Sequence, residues 1–106
     1  MKFTVEEFLE KLPLPANETW KDGVYFTTAF QREGVSLEFF APHGTDYQTL
    51  HDEDEFYFVV RGKSELIVEN ERFPCDMGDC FFVAAQKKHH FENISDDFAT
   101  WAIFFK

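Results

Sequence analysis

His51 and Glu55 stand four residues apart at the head of an apolar run, in the stretch QTLHDEDEFYFVVRG, residues 48–62. Imidazole nitrogen and carboxylate oxygen are both ligands for divalent transition metals. Residues two apart in a strand share a face. If Glu55 points inward, Tyr57 and Val59 do too, and extending that parity backwards turns Glu53, His51 and Thr49 the same way. A buried histidine and carboxylate need a reason to leave water, and a shared metal ion supplies one. Two ligands do not make a tight site, so a third is expected elsewhere. The remaining histidines are His43, His89 and His90. Adjacent strand residues face opposite ways, so only one of His89 and His90 can point inward. Two histidines and a carboxylate with open positions form the ligand class of non-haem Fe(II) sites, and they also suit a catalytic zinc with water in the fourth place. Gln48 or Asp46 could add a weak further oxygen. Taken alone, His51 also reads as a solvated turn histidine. Asp52, Glu53 and Asp54 read as a solvated rim, with Glu53 as reserve ligand.

Positioning these groups requires strands. Residues 4–12 read as a short helix, in which Thr4 caps, Glu7 completes a capping box and Phe3 and Phe8 form a hydrophobic staple. Pro13 stops it, and PLPANETWKDG is a loop. From Val24 onward the pattern is one of short β segments. VYFTTAF and VSLEFF flank QREG, and EFYFVV and SELIV flank RGK. RFPC, CFFVAA, HHFENI and ATWAIFF follow. About eight such segments with regular turn signals predict an all-β sandwich or barrel. Residues 1–106 read as one domain, with 4–12 an outer helix and 24–106 the β-barrel. FYFVV lacks polar alternation, so both of its faces should be covered.

In this register the chain resembles the cupin superfamily of small jelly-roll barrels, in particular small single-domain bacterial cupins. The first motif of that family is G-x5-H-x-H-x3-E-x6-G. His51, DED and Glu55 match H-x3-E, and Glu55, FYFVVR and Gly62 match E-x6-G. The second motif is G-x5-P-x-G-x2-H-x3-N. Gly78, Ala84, Gln86, His89 and Asn93 fall in its register, with Ala84 and Gln86 replacing the proline and second glycine. Thr49 stands where the family has its first histidine, and Gly44 lies one residue nearer to His51 than the motif expects. The resemblance implies a jelly-roll barrel and one divalent transition metal (iron, zinc, manganese or nickel) held by His51, Glu55 and His89. It gives Asn93 a place near the metal, where a turn-end asparagine explains it equally well. Gln48 and Thr49 read as pocket residues, Thr49 as a small hydrogen-bonding wall. Strand parity lets Tyr57, Phe91 and Trp101 line the pocket, although plain core packing is the favoured reading of them. Glu53 and Tyr57 are the groups at hand for a general base.

Composition narrows the partners. With 20 acidic against 10 basic residues and a formal charge of −10, the surface repels nucleic acid and anionic lipid. The longest apolar runs have five residues, too short to span a membrane. The N-terminus lacks a cleavage signature, and Cys75 and Cys80 have no zinc-knuckle spacing. Two free thiols and a cytoplasmic location are expected. Three functions remain: a metal-dependent enzyme performing oxygenase, isomerase or lyase chemistry on a small molecule, a non-catalytic small-molecule binder or sensor, and a metal-free barrel. FYFVV and WAIFF offer more apolar faces than one small barrel can bury, which predicts a homodimer.

Overall fold

A computed structural model describes residues 1–48 and 50–106. Thr49 therefore lies outside the described residues. Helix α1 (Val5–Lys11) is followed by eight strands: β1 (Phe26–Arg32), β2 (Val35–Phe40), β3 (Asp54–Arg61), β4 (Lys63–Val68), β5 (Glu71–Asp76), β6 (Cys80–Val83), β7 (His89–Glu92) and β8 (Ala99–Phe105). They form a five-stranded sheet in the order β1-β2-β8-β3-β6 and a three-stranded sheet in the order β5-β4-β7. Among the described residues the two sheets are not joined into a closed barrel, so the jelly roll is a two-sheet sandwich. Val24 forms an isolated bridge with Leu14 rather than opening the first strand, which starts at Phe26.

The QREG turn is tighter than its sequence suggests, because β1 runs through Arg32 and leaves only Glu33 and Gly34 between the strands. RGK is not a hairpin. β3 and β4 belong to different sheets, so the chain turns a corner there. Gly62 makes that corner with φ +67, and a Cβ on it would lie 2.7 Å from the backbone nitrogen of Phe98. Only glycine fits both the left-handed backbone and the contact.

Alternation sorts the side chains into two cores. Inside the sandwich, Tyr57, Val59, Leu66, Phe91, Phe98 and Ala102 belong to one buried cluster. The loop after α1 contributes Trp20 to it, held by Asn17, whose Oδ1 accepts from the Thr19 and Trp20 amides at 3.0 and 2.7 Å. A second cluster lies on the outer face of the larger sheet, where Phe8 of α1 packs on Phe39 and Ala99. Both the capping box and the Phe3–Phe8 staple are present, the two rings 6.3 Å apart. Trp101 belongs to this outer cluster, its ring meeting Phe8 edge-on at 5.6 Å. It therefore does not line the inner pocket. β8 turns Thr100, Ala102 and Phe104 inward and Trp101 out.

Candidate metal centre

Three segments build the site. β3 carries Glu55, the turn before it carries His51, and β7 carries His89. Glu55 is 1% exposed and His89 4%, while His90, the next residue, points outward and meets Glu92 at 2.7 Å. One ligand atom from each of His51, Glu55 and His89 lies within 4.8 Å of the others. Nε2 of His89 is 2.6 Å from Oε1 of Glu55. No hydrogen bond of good geometry joins them, so both Glu55 oxygens and His89 Nε2 are buried without a partner. Such groups are costly to bury. On the other side of its ring, Nδ1 of His89 lies 2.9 Å from the Lys87 carbonyl. A proton on Nδ1 donated to that carbonyl leaves Nε2 as a lone pair facing Glu55, the tautomer that metal-ligating histidines use. Burial disfavours a charged His89, yet the Glu55 carboxylate and the Lys87 carbonyl outweigh it and raise its pKa above the usual histidine value. The donor set and its orphaned atoms fit a divalent cation.

The acids of HDEDE do more than meet solvent. The His51 carbonyl accepts from the Gln86 amide at 2.8 Å. Asp54 Oδ1 accepts from the Ala85 amide at 2.8 Å, and Asp52 Oδ1 from the Gln86 side chain at 2.6 Å. These bonds join the segment carrying His51 to the turn that leads into His89. Gln86 has φ +68, a left-handed conformation that a side chain adopts at a cost. It stands where the family motif has glycine, and the backbone shows why glycine suits the place.

Gln48 is the hub beside the triad. Its Oε1 accepts from the Tyr57 hydroxyl at 3.1 Å and lies 3.3 Å from His51 Nε2. Its Nε2 donates to Asp46 Oδ2 at 2.5 Å. Asp46 offers no free oxygen for a metal, because it also accepts from the amides of Gln48 and Phe91 at 2.9 and 2.8 Å. It fastens the chain around Gln48 to β7. Burial raises the Asp46 pKa, and those amide bonds pull it partly back. Tyr57 is fully buried, and burial followed by the Glu55 charge pushes its pKa well above 10. Tyr57 is therefore a hydroxyl donor and not a base. Phe91 packs behind it in the core, 4.9 Å from its ring.

Asn93 is a correction. It is exposed, with φ +50, and its side-chain amide donates to Glu65 on the outer surface. Asparagine tolerates that left-handed turn, which accounts for its place at the end of β7 without any contact with the site. Glu53 is half-buried but lines a neighbouring groove with Arg32, Glu38 and Lys106, outside the lining of the cavity beside the triad. His43 is exposed and stacks on Tyr25 at 5.7 Å. Cys75 is buried, Cys80 exposed, and both are free thiols.

A cavity of about 250 Å³ opens beside the triad, lined on one side by His51, Glu55, Gln48 and Tyr57. Trp20, Phe26, Phe40 and Tyr47 form much of its opposite wall, together with Glu38. Sequence reasoning missed Glu38 and Trp20. Glu38 shares the inward parity of Phe40 in β2, a signal that was available, whereas Trp20 sits in a loop whose path no periodicity reveals.

A family model described as a cupin domain matches residues 36–105. An uncharacterised protein of Streptomyces coelicolor is 33% identical over 92 residues, covering 86% of this chain and 88% of that protein. A Cupin 2 conserved barrel domain protein from Salinispora arenicola superposes with a TM-score of 0.66 at 18% identity, over 76% of this chain and 74% of that one. The DMSP lyase DddQ from Ruegeria pomeroyi superposes with a TM-score of 0.66 at 16% identity, over 76% of this chain and 46% of that one. Among the described residues, no helix is long and apolar enough to cross a membrane. The conclusion from the family match and the shared jelly roll is that this chain belongs to the cupin family.

Proposed function

We propose that His51, Glu55 and His89 hold one divalent transition metal, and that the metal anchors and polarises a small organic molecule in the adjoining cavity. The observation that carries this reading is the convergence of ligand atoms from three segments of chain within 4.8 Å of one another, those of Glu55 and His89 buried without a partner. Gln48 orients His51 and stands ready as a further oxygen. A bound ion would act there as a Lewis acid, the property used in oxygenase, isomerase and lyase reactions. The lyase among the structural relatives supports that class of chemistry for this fold. A non-catalytic binding or sensing role would use the same centre without turnover. Elemental analysis of untagged protein purified without chelator tests the reading. Metal approaching one per chain is expected, and substoichiometric traces would defeat it. Substrate screening, with oxygen consumption followed, then separates catalysis from binding.

We also propose a homodimer. Its support is an aromatic patch on the part of the larger sheet that α1 leaves uncovered, where Phe58, Phe82 and Phe105 are 39%, 55% and 38% exposed.

A further inference from the structure

We propose that the cavity takes a small organic cation, whose positive end lies at Glu38 and whose apolar body rests against Trp20, Phe26, Phe40 and Tyr47. Only the orientation of the other end, toward His51, Glu55 and His89, rests on the metal-centre reading.

The sheet itself lays out the binding path. Ala102 of β8 pairs with Glu38 of β2 on one side and with Tyr57 of β3 on the other. All three point into the sandwich and line the cavity. Two strand spacings put Glu38 about 10 Å from Tyr57. The side chain between them is a single methyl group, which leaves the floor open. In the next row, Glu55 is paired with Phe104. A molecule lying over Ala102 therefore has Glu38 at one end and the His51–Glu55–His89 triad at the other.

The charges at the two ends are uneven. Among the residues lining this cavity, Glu38 and Glu55 are acids, and neither lysine nor arginine is present; Arg32 and Lys106 line the neighbouring groove that shares Glu38, and no ion pair joins either to it among the described residues. A divalent ion at the triad would outweigh Glu55 but would leave Glu38 unanswered. Burial and the nearby Glu55 push the Glu38 carboxyl above the usual carboxylate range, with the Ser36 hydroxyl pulling it partly back. An ammonium group at this end would remove both penalties. A carboxylate or phosphate there would meet a like charge at short range, in surroundings that screen poorly. The aromatic wall sharpens the preference. The π-faces of Trp, Tyr and Phe are negative, so they attract cations and disfavour anions.

The test compares three probes of one shape: benzylamine, benzyl alcohol and benzoate. Each is titrated into the full-length protein as purified, with metal content measured alongside and the Trp20 indole signal followed by NMR. Benzylamine is expected to bind about tenfold more tightly than benzyl alcohol, the equivalent of about 1.4 kcal/mol, with benzoate no tighter than the alcohol. Glu38→Gln keeps the shape and removes the charge. It should shrink the preference for the amine to about twofold or less, the scale on which an exposed charge pair acts, without changing metal content. Ala102→Leu should fill the floor and abolish binding of all three probes. Equal or tighter binding of the alcohol or benzoate, a preference that survives Glu38→Gln, or no binding of benzylamine would each overturn the proposal. Amine selectivity in metal-free protein would defeat the metal centre and leave this inference standing. A loaded metal without selectivity would do the reverse.

Discussion

At the scale of single residues, His89 and His90 show how little separates a candidate ligand from a surface group. They are neighbours with opposite directions. His89 is buried against Glu55, and His90 meets Glu92 outside. His51→Ala should remove most of the bound metal, because one histidine and one carboxylate are too few to hold it. His90→Ala should leave metal content unchanged. Metal per chain after identical purification checks both, and equal losses in the two variants would contradict the assigned directions. Acid should also strip the site. A proton on His89 Nε2 competes directly with the ion. The Glu55 carboxylate and the Lys87 carbonyl raise the His89 pKa, so the proton is a strong competitor and apparent metal affinity should fall as pH is lowered, as followed by equilibrium dialysis at fixed free metal. An affinity that does not change with pH would argue against His89 as a ligand. Parity and motif spacing made His51, Glu55 and His89 legible in the sequence. The same spacing misplaced Asn93, because it marks a left-handed turn that looks identical in sequence whether or not its side chain faces the site.

At the scale of elements, the site depends on a junction between two turns. Asp54 accepts from the Ala85 amide and Asp52 from the Gln86 side chain, beside the bond between the Gln86 amide and the His51 carbonyl. Removing one such acceptor costs about 1 kcal/mol of stability. It should matter more to the metal, since groups that orient ligands are worth about 10–100-fold in affinity. Asp54→Ala should therefore weaken metal binding within that range while shifting the urea midpoint only slightly. An unchanged metal affinity would reduce Asp54 to a rim charge. Asp46→Asn should act on the fold instead. Both carboxylate oxygens accept N–H bonds, and an amide would turn a donor toward one of them. A loss of about 1–3 kcal/mol is expected from urea unfolding. The strands and helix were readable from alternation, turn residues and the capping box. The partners of Asp46, Asp52 and Asp54 were not, because contacts between distant loops leave no period in the sequence. Nor did the sequence reveal that RGK turns between sheets. A short apolar segment pairs equally well with a sequential neighbour or a distant one, and β3 found β8 and β6.

At the scale of the whole molecule, the two faces of the larger sheet have different fates. α1 covers Phe39 and Trp101 on one half of the outer face. On the other half, the Phe56 ring contacts those of Phe58, Phe82 and Phe105 at 6.2, 5.1 and 5.8 Å, and the described residues leave Phe58, Phe82 and Phe105 exposed. With a formal charge of −10, two copies repel at long range, so any pairing must rely on close apolar contact within a Debye length. A patch at one end of the sheet, beside its short edge strand β6, suits a closed two-fold contact better than an open chain of copies. A stable contact of this kind buries on the order of 1,600 Å² in total, which the aromatic patch must seed rather than fill. Sedimentation over a dilution series should show a dimer at micromolar concentration. Phe82 is the most exposed of these rings, so Phe82→Glu should change its own fold little. It would set two like charges facing each other across the contact, and the protein should become a monomer with its metal content retained. A wild-type monomer throughout the series would sink the pairing, and a Phe82→Glu dimer would move it to another face.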